Sequence, residues 1–333
     1  MRIAVFSAQP YDKQFLEQEN GKHGYELSYF DQLLDETNAG LCQGFDAVCV
    51  FVNDDLSAPV VKKLKAQGVR FIALRCAGFN NVDLLAAKSL GLPVVRVPAY
   101  SPEAVAEHTL ALILTLNRKT HRAYNRVRES NFTLNGLLGF NLHGKTVGLI
   151  GTGQIGLATA KILKGFGCEL IAYDPYPNQD YLALGGHYVE LDELYSRSDI
   201  ISLHCPLSEE SHHLINEQSI SQMKEGVMLI NTSRGGLVDT QALIAGLKSR
   251  KVRALGLDVY EQESQLFFHD HSGEIIDDDQ FERLQSFPNV LITGHQGFFT
   301  EEALTQIAAV TLGNLDCLNS GQPCENELTH TIS

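Results

Sequence analysis

No basic cluster, no C-x-x-C pair and no apolar run long enough to cross a bilayer occurs in these 333 residues. The first absence goes with the bulk charge, since 26 Lys and Arg face 40 Asp and Glu and leave a formal charge of -14. Phosphate backbones and anionic headgroups repel such a chain, which argues against nucleic-acid binding and against a membrane-surface role. Bulk charge says nothing about a local anion site. Seven cysteines, at 42, 49, 76, 168, 205, 317 and 324, form an odd and scattered set, several in apolar contexts such as Val48-Cys49-Val50. That pattern suits a reduced compartment and neither a disulfide framework nor a zinc site. The apolar run Met1 to Phe6 is too short for a signal peptide, and the stretch Leu110 to Leu116 falls well short of a membrane span. A cytoplasmic protein is expected. Only 10 prolines and 28 glycines, with 44% apolar and 20% charged residues, exclude a disordered or collagen-like chain. The length is enough for about two domains.

Strand-helix units alternate along the chain. Short apolar runs at Ile3–Phe6, Ala47–Val52, Phe71–Leu74 and Val94–Val97 read as buried parallel strands, and Pro59–Gln67 and Asn81–Leu90 read as helices stopped at Gly68 and Gly91. One long helix is expected from Pro102 to about Val127, with Ser101 as its cap. A second series of strands follows at Thr146–Ile150, Leu170–Tyr173, Ile200–Leu203, Val227–Ile230, Ala254–Leu257 and Val290–Thr293. The polar stretch Glu261–Glu282 breaks the rhythm and reads as a surface excursion, with Asp277-Asp278-Asp279 a solvated charge run. The expected fold class is α/β, with two Rossmann-like, doubly wound parallel-sheet domains and a cleft between them.

Gly151-Thr152-Gly153-Gln154-Ile155-Gly156 sits between a strand and a helix. The first glycine permits the tight turn, the second lets a pyrophosphate approach the backbone, and the third lets helix pack on strand. The helix N-terminus then offers free N–H groups to the phosphates. After the next strand stands Asp174, an acid able to accept from both hydroxyls of an adenosine ribose and to repel a 2′-phosphate. NAD is therefore preferred over NADP.

Three further segments carry a resemblance. Asn231-Thr232-Ser233-Arg234-Gly235-Gly236, Gly256-Leu257-Asp258-Val259-Tyr260-Glu261 and Gly294-His295-Gln296 resemble the signature segments of the D-isomer-specific 2-hydroxyacid dehydrogenases. Arg75 to Asp83 and Val97 to Glu103 look like the bacterial fermentative D-lactate branch of that family. The resemblance runs from Met1 to about Leu328. It implies reversible, NAD-dependent reduction of pyruvate to D-lactate. A dehydrogenase for another D-2-hydroxy acid (glycerate or a branched acid) and a non-enzymatic NAD-sensing protein remain as alternatives.

The chemistry accounts for the residue types. A keto acid that accepts a hydride at carbon must gain a proton at oxygen, and His295 is the natural acid because imidazole titrates near working pH. A carboxylate on its other nitrogen fixes the tautomer. Matching the family pattern gives that role to Glu263, with Glu261 close enough in sequence to compete for it. Arg234 offers the substrate carboxylate a planar, bidentate partner and polarises the keto oxygen. These three are the expected catalytic residues.

The resemblance also implies the remaining site residues. For the substrate these are the backbone N–H groups of Cys76, Ala77 and Gly78, the hydroxyl of Tyr100, and Phe51 and Phe298 around a methyl-sized group, beside Arg234 and His295. The last two aromatics are equally placed to be plain core. For the cofactor they are Gly151, Gly153, Gln154, Ile155, Gly156, Asp174, Cys205, Pro206, Ser211, Thr232, Ser233, Arg234 and Asp258. No metal is expected. His204 is set aside as a strand-end residue, His212 and His213 as part of a turn, and His269 and His271 as part of the polar excursion. The implied domains are discontinuous: 1–100 with 299–333 for substrate, and 101–298 for NAD. Hinges are expected near Ala99-Tyr100 and Gln296 to Phe299. The partners are a small-molecule substrate and further copies of the chain, as a dimer or tetramer, with the long helix as interface candidate.

Overall fold

The computed structural model describes residues 1–263 and 266–330. Residue contacts divide the chain into two compact units, Met1–Ser101 with Phe299–Ser333, and Pro102–Phe298. All seven cysteines are free thiols, five of them buried. Among the described residues no helix is long and apolar enough to cross a membrane.

The first unit is built on β1 (Arg2–Val5), β2 (Glu26–Tyr29), β3 (Ala47–Val50), β4 (Phe71–Leu74) and β5 (Val94–Arg96). All are parallel, in the order β2-β1-β3-β4-β5. Every residue of β3 and β4 is buried, as in a parallel sheet coated on both faces. Alternation sorts the side chains. Ala4, Val48, Val50, Ile72 and Leu74 pack with Val60, Val61 and Leu64 of the helix Ala58–Ala66. Ile3, Val5, Ala47, Cys49 and Ala73 face Leu16 of the helix Pro10–Asn20 and Ala308, Leu312 and Leu315 of the helix Glu301–Asn319. Gly68 and Gly91 adopt φ of +90° and +58° just past their helices, where a left-handed residue ends the turn. β2 was not anticipated, because as a half-exposed edge it carries no continuous apolar run.

The second unit holds β6 (Thr146–Ile150), β7 (Glu169–Tyr173), β8 (His187–Tyr188), β9 (Ile200–Leu203), β10 (Val227–Asn231), β11 (Val252–Leu257) and β12 (Val290–Ile292). They form one parallel sheet in the order β12-β11-β10-β9-β6-β7-β8. Strand order reverses between β6 and β9. In open α/β sheets that switch point, at the carboxyl ends of the strands, is where ligands bind.

Two sequence expectations need correction here. The long helix is two helices, Pro102–Arg118 and Thr120–Arg128, separated by Lys119 in the left-handed region at φ +53°. The first is buried along much of its length, whereas no residue of the second is buried. The Asn117 side chain accepts from the Phe140 amide and donates to its carbonyl, and Lys119 Nζ donates to the Leu138 carbonyl. These bonds draw the chain out of helical register. The stretch Glu261–Glu282 is likewise more than a surface excursion, because Phe267 and Phe281 are buried in the core and Asp278 caps the helix Asp279–Gln285. Asp278 also accepts from the Tyr260 hydroxyl at 2.9 Å, so the triple-aspartate run has a structural member.

Candidate active site

The second unit gathers the expected cofactor residues at the carboxyl ends of its strands. Gly151 to Gly156 follow β6, Asp174 follows β7, Cys205, Pro206 and Ser211 follow β9, Thr232 to Arg234 follow β10, and Asp258 follows β11. Gly151 has φ +98°, and a Cβ there would stand 2.7 Å from the backbone of His204 and Cys205. A Cβ on Gly156 would meet the Gly151 carbonyl at 2.2 Å, so the helix Gln154–Gly165 packs on the turn only through a glycine. Nothing lies within 4 Å of a Cβ built on Gly153. The loop is therefore tight where it must turn and open where a pyrophosphate would approach the helix N-terminus, so the residues present fit a dinucleotide.

Asp174 is oriented in advance. One oxygen accepts from the Thr152 amide and hydroxyl, at 2.7 and 2.9 Å, and the other from the Tyr176 amide at 2.9 Å. Ser233 Oγ donates to the Cys205 carbonyl at 2.6 Å, tying the β10 loop to the β9 loop. Burial raises the Cys205 thiol to about 11, so it is held neutral. Ser211 donates to the Pro206 carbonyl at 2.8 Å and accepts from the Ser208 amide at 2.7 Å, so its hydroxyl serves its own loop. Burial pushes His204 down to about 4, and its ring stands 2.9 Å from Ser202 Oγ as an uncharged strand-end group.

His295, past the end of β12, has φ +53°, and its amide donates to the Asp258 carbonyl at 2.7 Å. Its Nδ1 lies 2.9 Å from Glu263 Oε1, while Glu263 Oε2 accepts from the Tyr260 amide at 3.0 Å. With Nδ1 so engaged, Nε2 is left without a partner among the described residues. Glu261 turns away from this pair, to His213 Nε2 at 2.6 Å and Thr240 Oγ1 at 2.8 Å. His212, stacked on His213 at 3.9 Å, completes the one group of ligand atoms among the described residues that is close enough to surround an ion. Arg234 follows β10, its backbone carbonyl accepting from the Asn231 side chain at 2.8 Å and its Nη1 donating to the Ser233 carbonyl at 2.8 Å.

Asp258 is buried, and its carboxylate accepts from the Gln296 and Gly297 amides and from Thr293 Oγ1, at 2.9, 2.7 and 2.5 Å. His108 Nε2 stands 3.2 Å from it and 3.0 Å from Thr293 Oγ1. Burial alone would raise this carboxyl. The bonds from His108, Thr293 and the loop amides outweigh it, and the pKa lies below the ordinary value. The sequence reading missed His108 and Thr293, and also Phe268, whose ring lies 5.7 Å from that of His295. Phe298 is buried, with its ring 6.5 Å from the same imidazole.

In the first unit, Arg75 opens the turn Cys76-Ala77-Gly78. Its fully buried guanidinium donates to Asp12 at 3.0 Å and to the Ser7 carbonyl at 2.7 Å, and lies 5.1 Å over the Phe51 ring. Burial disfavours this cation, but Asp12 and neighbouring groups more than restore it. Arg96 donates to the Ala77 carbonyl at 2.9 Å. Tyr100 is half-buried close to the end of this segment of the unit.

A glycine cradle at a switch point, an imidazole–carboxylate pair and an arginine on neighbouring strand ends define a nicotinamide-dependent dehydrogenase. Residues 110–297 match the model of the D-isomer specific 2-hydroxyacid dehydrogenase NAD-binding domain. The chain is 58% identical over 328 residues to D-lactate dehydrogenase of Escherichia coli, covering 98% of this chain and 100% of that protein. It is 58% identical over 326 residues to a 2-hydroxyacid dehydrogenase homolog of Haemophilus influenzae, covering 98% of each. The solved apo-structure of the E. coli D-lactate dehydrogenase superposes with a TM-score of 0.91 at 56% identity, over 98% of this chain and 100% of that one. A D-lactate dehydrogenase from Aquifex aeolicus, solved with NAD and lactic acid, gives 0.87 at 35% identity over 98% and 99%. The chain belongs to the D-isomer-specific 2-hydroxyacid dehydrogenase family, and its cofactor is NAD.

Proposed function

We propose that this protein interconverts pyruvate and D-lactate. The observation that carries the proposal is the His295–Glu263 contact of 2.9 Å in an NAD-binding unit, which orients one imidazole nitrogen and leaves the other for substrate. When bound, NADH would supply the hydride for the carbonyl carbon, and NAD would accept it in the reverse direction. His295 Nε2 gives its proton to the carbonyl oxygen, or takes the hydroxyl proton back, while Glu263 stabilises the charged ring. Arg234 pairs with the substrate carboxylate and favours negative charge on the reacting oxygen. In this reading the amides of Cys76, Ala77 and Gly78 and the Tyr100 hydroxyl also bind substrate, and Phe51 and Phe298 restrict the side chain to about a methyl group. Gly151, Gly153, Gln154, Ile155 and Gly156 receive the pyrophosphate, Asp174 the ribose hydroxyls, and the segments holding Cys205, Pro206, Ser211, Thr232, Ser233 and Asp258 the rest of the dinucleotide.

The same reading places the protein in the cytoplasm, supported by its buried free thiols, and makes it a homo-oligomer. Phe132, Leu134 and Leu138 support the second point, being 72%, 82% and 89% exposed just beyond the helix Thr120–Arg128. Subunit mass in solution tests it.

The test of function is NADH oxidation with pyruvate, glyoxylate, hydroxypyruvate and 2-ketoisocaproate, with the product's chirality measured. Turnover of pyruvate to D-lactate, lost in His295→Ala and Arg234→Ala, is expected. Preference for a larger acid would remove the role given to Phe51. NADH binding without turnover of any keto acid would favour an NAD-sensing protein.

A further inference from the structure

Although the sequence holds no basic cluster, the fold assembles one. At the amino-terminal ends of β10, β11 and β12, the edge opposite the glycine loop, lies a cavity of about 700 Å³. Lys119, Arg122, Lys248, Arg250 and Arg253 line it together with His121, and no carboxylate does. Among the described residues none of these five cations has an ion-pair partner, although Arg2, Lys22, Lys63, Arg70, Arg75, Arg197, Lys224 and Lys251 elsewhere on the chain do. On a chain with a formal charge of -14, that many unpaired positive groups around one concavity leave a local charge the protein does not neutralise itself. Burial, with Arg253 and Arg122 close by, lowers the Lys119 ammonium below its ordinary pKa, and burial with Arg122 does the same to His121. These groups crowd one another in the free protein.

The cavity wall is built rather than incidental. Asn117 pins Phe140 through both amide and carbonyl, at 2.8 and 2.7 Å. Gly139 between them is required, since a Cβ would stand 2.7 Å from the Asn117 carbonyl. The Arg253 guanidinium lies 4.4 Å over the Phe140 ring, and Lys119 Nζ donates to the Leu138 carbonyl at 2.6 Å. Two of the five cations are thus fixed before any ligand arrives, which lowers the ordering cost of binding. The volume suits a small molecule and is generous for one phosphate. Planar guanidinium groups match phosphate or carboxylate oxygens in pairs.

We propose that this cavity binds a small metabolite bearing two or more phosphate or carboxylate groups. It is a second anion site on the NAD-binding unit, at the end of the sheet away from the dinucleotide loop.

Calorimetric titration of the whole chain, saturated with NADH to fill the glycine loop, tests this with pyrophosphate and citrate as probes at an ionic strength fixed with KCl. Saturable binding is expected, weakened at least about tenfold in Arg122→Gln/Arg253→Gln and in Lys248→Gln/Arg250→Gln, with NADH affinity unchanged. Both double variants should keep the wild-type circular dichroism and a cooperative melt, Lys248→Gln/Arg250→Gln leaving the Arg253–Phe140 contact in place, so that lost binding is not lost fold. Binding of pyrophosphate alone identifies a phosphorylated ligand, and binding of citrate alone a polycarboxylate. Heat no greater than the KCl control overturns the proposal, as does equal affinity in both double variants. A cavity filled by the Leu138 arm of a second copy would leave the wild type unresponsive and overturn it in the same way.

Discussion

Glu263 reaches His295 Nδ1 with one carboxylate oxygen, at 2.9 Å, and is itself held by the Tyr260 amide on the other, at 3.0 Å. The acid is thus oriented by backbone three residues before it, and the imidazole by the acid. Glu263→Gln keeps the shape and removes the charge. Turnover should fall by about 10²- to 10⁴-fold, as when an imidazole loses the carboxylate that orients it. Steady-state kinetics beside an NADH fluorescence titration check this, and unchanged turnover would remove Glu263 from the mechanism.

Arg234→Lys keeps the charge and loses the planar fork. The efficiency kcat/KM with the keto acid should drop by roughly 10²-fold, with NADH affinity preserved. Equal efficiency in the variant would show that a point charge suffices there.

Asp258→Asn should loosen the loop that carries His295. One end of the new amide is a donor and faces donors: Thr293 Oγ1, the Gln296 and Gly297 amides, and His108. A loss of about 2–3 kcal/mol is expected, from buried groups left unsatisfied, together with lower turnover. Because the native pKa of Asp258 lies below its ordinary value, the wild-type advantage is complete above about pH 4 and fades as pH falls through the native value. Denaturant melts of both proteins at neutral and acid pH measure that narrowing.

His204 predicts a second acid weakness, at milder pH. Buried with a pKa of about 4 against an ordinary 6.5, it stays neutral in the fold while the unfolded chain takes up a proton. Stability due to this group is therefore full above pH 6.5 and declines as pH falls toward 4. His204→Gln should flatten that slope. Thermal melts at pH 7.5 and 5, with an equal loss of Tm in both proteins, would exclude the assignment.

The parts legible in the sequence were those whose physics is local. β9 and β10 are buried at every residue and apolar at all but Ser202 and Asn231 because both faces are covered, and Gly151 and Gly156 announce contacts that no side chain could survive. β8, two residues long, carries no readable period. The break at Lys119 has no glycine or proline to mark it; it is enforced by Asn117 and Lys119 through bonds to the loop that holds Leu138 and Phe140. Spacing could not separate Glu261 from Glu263, a choice made by the fold of the turn after Tyr260. His108 is 185 residues from its Thr293 partner, so only the folded unit brings them together.

The interrupted first unit has a consequence for how the protein is made. Its sheet emerges early from the ribosome, yet Ala308, Leu312 and Leu315, which coat Ile3, Val5, Ala47 and Cys49, lie beyond the whole of the second unit. At about 5–20 residues per second, translation delivers that helix on the order of 10–40 s later. Throughout that interval the helix Pro10–Asn20 alone covers that side of the nascent sheet, and the oily surface left open is a natural target for chaperones and for aggregation with sister chains.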